Sequence, residues 1–169
     1  MRRNCSTIFP MHIAVLTISD RCSQGLMDDT AGPAIVALVR QDWPLAEVSL
    51  ELLPDDEERI AAKLEQWSNQ GVALVLTVGG TGMGPRDRTP EATRRVIDRE
   101  APGLAEAMRS LGAALYPYAW LSRGVAGLRG GTLFVNLPGS LRGATESLSS
   151  IAALLHHGLE VIAGGQRHP

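Results

Sequence analysis

Val72-Ala73-Leu74-Val75-Leu76-Thr77-Val78 runs straight into Gly79-Gly80-Thr81-Gly82-Met83-Gly84-Pro85-Arg86-Asp87-Arg88-Thr89-Pro90-Glu91-Ala92-Thr93. The first seven residues are apolar except for Thr77, the pattern of a strand buried on both faces of a parallel sheet. A strand that passes through a glycine-rich loop and restarts as a helix sets a binding site at the carboxyl edge of an open α/β sheet. Glycine lets backbone approach a ligand closely, and free N–H groups in such a loop hold anions. Asp87 adds a carboxylate, and Arg86 and Arg88 add positive charge on either side of it.

Two common glycine-loop chemistries do not fit. A Walker A loop ends in Gly-Lys-Ser/Thr so that the lysine reaches the phosphates, and the one lysine of this chain, Lys63, lies elsewhere. The dinucleotide fingerprint Gly-x-Gly-x-x-Gly runs into a helix; counted from Gly80, its last position is Pro85.

Working outward, strand-like and helix-like segments alternate. His12 to Ile18 reads as the first strand, and Pro33 fits the first turn of a helix reaching about Gln41. Val48 to Leu53 reads as a second strand. Asp55 or Asp56 opens a helix whose apolar face is Ile60, Leu64 and Trp67, ended by Gly71. Thr89-Pro90-Glu91 opens another helix, with a capping hydroxyl, proline and an acid in its first turn. Pro102-Gly103 breaks that helix before a further one through about Leu115. Thr132 to Leu137 is a buried strand, and the last helix follows Ser140 and reaches at least His156. The alternation predicts a three-layer α/β/α domain with a mostly parallel sheet. Residues 116–131 fit no assignment beyond an extra strand or a partner contact.

The chain has 169 residues, the size of one α/β domain. We expect the domain over residues 12–164, with tails at 1–11 and 165–169. The net charge of −2 gives no basis for nucleic-acid or membrane-surface binding. Cys5 and Cys22 make no disulfide framework, and His12, His156, His157 and His168 show no zinc spacing. The apolar runs fall short of the ~20 residues of a membrane span, and the N-terminus lacks a secretory pattern. The expectation is a soluble cytoplasmic protein. Trp43, Trp67 and Trp120 read as core or interface residues.

The Gly-Gly-Thr-Gly loop with its Pro-Arg-Asp-x-Thr-Pro-Glu-Ala-Thr continuation resembles that of the MogA/MoaB family of molybdenum-cofactor biosynthesis, whose fold also occurs in fusion proteins such as gephyrin. Three more segments carry the likeness in order: Thr17-Ile18-Ser19-Asp20-Arg21 with Asp29-Thr30-Ala31-Gly32-Pro33, then Leu53-Pro54-Asp55-Asp56, then Leu137-Pro138-Gly139-Ser140. Many relatives have proline after the last segment, where this chain has Leu141.

The resemblance implies a molybdopterin adenylyltransferase using ATP and Mg²⁺, with pyrophosphate as the second product. It also implies a homotrimer or homohexamer and a molybdate insertase as partner. Asp55 and Asp87 become the catalytic and metal-binding pair, two carboxylates suited to a cation that also binds phosphates. Asp55 with Glu58 also matches a capping box, which by itself accounts for an acid there. Gly79, Gly80, Thr81 and Gly82 would cradle phosphate. Ser19, Asp20, Arg86, Thr89, Ser122, Arg123, Asn136, Pro138, Gly139 and Ser140 would contact substrate; for each, turn, cap or surface chemistry is the competing reading. A binding-only or scaffold member of the same family is the alternative function.

Overall fold

The computed structural model describes residues 11–165. Six strands form one sheet: β1 (His12–Ile18), β2 (Glu47–Leu53), β3 (Leu74–Val78), β4 (Arg99–Glu100), β5 (Ala126–Arg129) and β6 (Thr132–Leu137), in the order β2-β1-β3-β6-β5-β4. The four strands β2, β1, β3 and β6 are parallel. The remaining two extend the sheet antiparallel, so it is mixed, with a parallel core as expected.

Alternation along the strands builds two cores. Ile13 and Val15 of β1, Leu74, Leu76 and Val78 of β3, and Leu133, Val135 and Leu137 of β6 face one side. They pack there against α2 (Ala31–Asp42), α5 (Pro102–Leu115) and α6 (Leu141–Ile162). Ala14, Leu16, Ile18, Val75 and Phe134 face the other side, against α3 (Glu57–Asn69) and α4 (Thr89–Val96). Period-2 strands between layers of period-3.6 helices are what the sequence pattern demands. Leu148, Ile151 and Leu155 of α6 are fully buried, so truncating any of them to alanine costs about 2–5 kcal/mol.

Several boundaries differ from the sequence reading for local reasons. Pro102 does not break a continuing helix: α4 stops at Val96, β4 intervenes, and Pro102 opens α5, where its missing N–H costs nothing. Residues 116–131 hold a 3₁₀ helix, Pro117–Leu121, followed by β5. Asp56, not Asp55, caps α3, accepting from the Arg59 amide at 2.9 Å. Trp43 and Trp67 are buried, and Trp120 is exposed. His156 stacks on Trp43 with ring centroids 4.3 Å apart. Cys22 is buried and unpaired; Cys5 and His168, and nearly all of both expected tails, lie outside the described residues. No described helix is long and apolar enough to cross a membrane.

Candidate functional site

The carboxyl ends of β1, β3 and β6 meet at a point where only glycine fits. Gly79 has φ 109°, and a Cβ there would sit 2.3 Å from the carbonyl oxygen of Ile18. A Cβ on Gly139 would sit 3.1 Å from Gly79 Cα. Gly80, at φ 64°, lies against Thr89 and Asp55; a side chain would meet Asp55 Oδ1 at 3.1 Å. This glycine ridge separates two clefts, of about 360 Å³ and about 250 Å³, which share Gly80, Asp87 and Gly139 in their walls.

The smaller cleft is acidic. Asp55, released from capping by Asp56, exchanges bonds with a second acid. The Asp20 amide donates to Asp55 Oδ2 at 2.8 Å, and the Asp55 amide donates to Asp20 Oδ1 at 3.0 Å. Arg86 closes the group with a two-pronged pair, donating from Nε and Nη2 to the two Asp20 oxygens at 2.9 and 3.0 Å. The chain therefore ties the β1, β2 and β3 loops together through carboxylates. Partial burial pushes the Asp55 carboxyl above the ordinary 3.8 against the pull of the Asp20 amide, and the charges of Asp20 and Asp87 add to the rise. The Arg86 hydrogen bond, chief among the causes, holds Asp20 below its ordinary value.

Asp87 bends back over its own loop, accepting from the Gly84 amide at 2.8 Å. Side chains on Gly82 or Gly84 would approach Asp87 Oδ2 to 2.9 and 2.7 Å, so these glycines make room for the carboxylate. Both Asp55 and Asp87 line the acidic cleft. Two oxygen donors there, with a third carboxylate beside them, fit a hard divalent cation that completes its shell with water and ligand phosphate. Among the described residues no group of three His, Cys, Asp or Glu forms a cage.

The larger cleft is floored by Gly80–Gly82 and Pro138–Ser140 and walled by Tyr116, Tyr118 and Leu121. Among the described residues, the amides of Gly80, Thr81 and Gly82 have no protein acceptor. The Gly79 amide does: it donates to the Leu137 carbonyl at 3.1 Å, which narrows the expected phosphate cradle to the next three residues. Ser140 caps α6 by accepting from the Gly143 amide at 3.1 Å.

Other expected contact residues sit in the framework. Asn136 is 1% exposed; its amide donates to Thr77 and Thr93 at 2.9 Å each, and its oxygen accepts from the Val125 amide at 3.2 Å. Thr89 is fully buried and its hydroxyl donates to the Gly79 carbonyl at 2.9 Å instead of capping α4. The alternation that puts Phe134 on the α4 face puts Asn136 there too. Ser19 caps the short α1 (Asp20–Ser23), accepting from the Cys22 amide. Ser122 accepts from the Gly124 amide. Arg123 is a strut: it donates to the carbonyls of Gly82, at 2.6 Å, and Asp87, and pairs with Glu91. Arg88 pairs with Glu57.

Sequence reasoning gave no place in the site to Asp29, Glu91 or the two tyrosines. Asp29 accepts from the Thr17 hydroxyl at 2.6 Å and the Gly32 amide at 2.9 Å, and lines the acidic cleft. Its position before Thr30-Ala31-Gly32-Pro33, ahead of a helix start, was the available signal.

Residues 14–157 match the family model described as "Probable molybdopterin binding domain". The chain is 36% identical over 157 residues to the molybdopterin adenylyltransferase of Helicobacter pylori strain J99, covering 91% of this chain and 89% of that protein. It is 40% identical over 149 residues to the molybdenum cofactor synthesis protein cinnamon of Drosophila melanogaster, covering 88% of this chain but only 25% of that much longer protein. The crystal structure of the molybdopterin biosynthesis enzyme MoaB from Thermus thermophilus superposes with a TM-score of 0.85 at 47% identity, covering 91% of this chain and 97% of that one. The chain is a member of the molybdopterin-binding domain family.

Proposed function

We propose that this protein is a molybdopterin adenylyltransferase of molybdenum-cofactor biosynthesis. The observation that carries the reading is the placement of Asp55 and Asp87 on one acidic cleft, across a glycine ridge from three free amides. An oxygen of the pterin's terminal phosphate attacks the α-phosphorus of ATP; the bond from that phosphorus to the α–β bridging oxygen breaks, and pyrophosphate leaves. Transfer between such charged groups needs alignment and charge neutralisation more than covalent help.

Asp55 and Asp87 would hold Mg²⁺, which neutralises phosphate charge when bound. The amides of Gly80, Thr81 and Gly82 would receive phosphate oxygens, aided by the start of α6 behind Pro138, Gly139 and Ser140. Asp20 fixes Asp55 through paired amide-to-carboxylate bonds, and Arg86 holds Asp20 while offering positive charge to the polyphosphate. Arg123 braces the loop, its amide donating to the Thr81 carbonyl at 2.9 Å and its guanidinium to the carbonyls of Gly82 and Asp87. Asn136 and Thr89 act from beneath, by setting the β6 and β3 ends. The reading includes work in the cytoplasm, a homo-oligomeric assembly and hand-over of the product to a molybdate insertase.

ATP labelled at the α-phosphate tests it. With molybdopterin and Mg²⁺, the label is expected in an adenylylated pterin, with one pyrophosphate released per label transferred. Tight pterin binding with no label transfer would mark a binding-only member instead.

A further inference from the structure

The larger cleft has an aromatic wall that phosphate binding does not use. Tyr116 and Tyr118 are the only two tyrosines of the chain, and both stand at this one cleft. Their ring centroids are 5.0 Å apart at 59°. They are 55% and 65% exposed, so neither ring is placed to build the core. What fixes them is a close backbone approach. Gly112 of α5 packs on the 3₁₀ helix so tightly that a Cβ there would lie 3.1 Å from Ala119 Cβ.

The same cleft is lined by the glycine loop and Pro138–Gly139, with Asp87 and Glu146 as its charged side chains. A cleft lined by both aromatic rings and bare backbone suits a flat occupant, because ring faces gain most from parallel or offset contact. The free amides of Gly80, Thr81 and Gly82 lie along the same cleft and call for an anion. A volume of about 360 Å³ falls in the range of small-molecule sites, ~300–1,000 Å³.

We infer that Tyr116 and Tyr118 form a ring clamp for the planar fused nitrogen heterocycle of a phosphate-bearing substrate, with its phosphate directed to the glycine ridge. The clamp sets which ring enters the cleft and leaves group transfer to the acidic side. This inference rests on the proposed function for having two such substrates, pterin and adenine nucleotide. The ring chemistry is shared by both, and separate titrations assign it.

The test uses the full-length protein, titrated with two phosphate-free probes, 6-hydroxymethylpterin and adenosine, followed by pterin fluorescence for the first and by titration calorimetry for both. One probe is expected to bind the wild type. The variant Tyr116→Leu/Tyr118→Leu should weaken that probe ~10-fold or more, the scale of one base–aromatic stack, while Tyr116→Phe/Tyr118→Phe keeps wild-type affinity within about twofold. Light scattering is run on all three proteins. Wild-type affinity of the leucine variant for both probes, or absence of binding of either to the wild type, overturns the clamp. So does a change of assembly state in the leucine variant, which would make the rings a contact between copies. Failure of adenylyl transfer with tyrosine-dependent probe binding intact would instead sink the proposed function and leave the clamp standing.

Discussion

The two sides of the glycine ridge are built in opposite ways. On the acidic side Asp20, Asp55 and Arg86 are cross-braced by four hydrogen bonds of 2.8 to 3.0 Å. These groups have fixed partners before any ligand arrives. On the aromatic side Tyr116, Tyr118 and Leu121 are about half exposed or more and are held by helix packing. The contrast teaches where precision is spent. Groups that stabilise charge at a reacting phosphorus act only if held in place beforehand, whereas a ring clamp tolerates adjustment.

The sharpest way to break the acidic side is Asp55→Asn. The amide oxygen can still accept from the Asp20 amide, but the charge is gone, so turnover should fall by ~10²–10³, as for other lost electrostatic contacts in a transition state. Steady-state pyrophosphate release measures it; activity within tenfold of wild type would detach Asp55 from the chemistry.

Next in size is Gly79→Ala. It forces a Cβ at φ 109° to within 2.3 Å of a main-chain oxygen. The ridge must move or the protein must lose stability, by about 2 kcal/mol or more. Chemical denaturation should show this loss, and a stability matching wild type would mean that the ridge relaxes freely.

A smaller effect is expected for Arg123→Met. It removes the strut from the carbonyls of Gly82 and Asp87 and leaves Glu91 without its partner. We expect kcat to drop ~10-fold, with ATP affinity also reduced, since the catalytic loop loses its outer support. Equal kinetics in the variant would confine Arg123 to surface pairing.

The smallest effect runs the other way. The Asp55 carboxyl is raised, so its burial is a cost that is fully present above its folded value and fades as pH falls through that value toward the ordinary 3.8. Asp55→Asn should therefore raise Tm at neutral pH, where ~1 kcal/mol corresponds to roughly 2–4 °C in a domain of this size, and the gain should shrink in acid. Asp20 has the opposite sign: its carboxyl is lowered by Arg86, and its contribution persists above the ordinary value and is lost as pH falls through the folded one. A thermal-shift series in pH on wild type and Asp55→Asn separates the two contributions. A Tm decrease in Asp55→Asn at neutral pH would show that its charge stabilises the fold and is not a cost accepted for function.

The same contrast governs what could be read without coordinates. His12–Ile18 and Thr132–Leu137 are uninterrupted buried strands, and their limits in the structure match the sequence reading. The aromatic side was not legible. A five-residue 3₁₀ helix and a four-residue antiparallel strand are too short to show a period. Asp87 and the loop glycines were legible because strand, glycine run and helix start are each local signals. That Asp56 rather than Asp55 caps α3 was not, because the two are adjacent and both have capping chemistry. The inward turn of Asn136 could have been taken from its alternation with Phe134. The Asp20–Asp55 exchange links residues 35 apart in sequence and required the fold.

Asp87 offers the most direct test of adenylyl transfer at this site. Pyrophosphate release from Mg-ATP, with and without molybdopterin, is to be measured for wild type and Asp87→Asn alongside pterin binding. We predict pterin-dependent release by the wild type, lost ~10²-fold or more in the variant with pterin affinity retained. Release that does not depend on pterin, or that survives in Asp87→Asn, would contradict it.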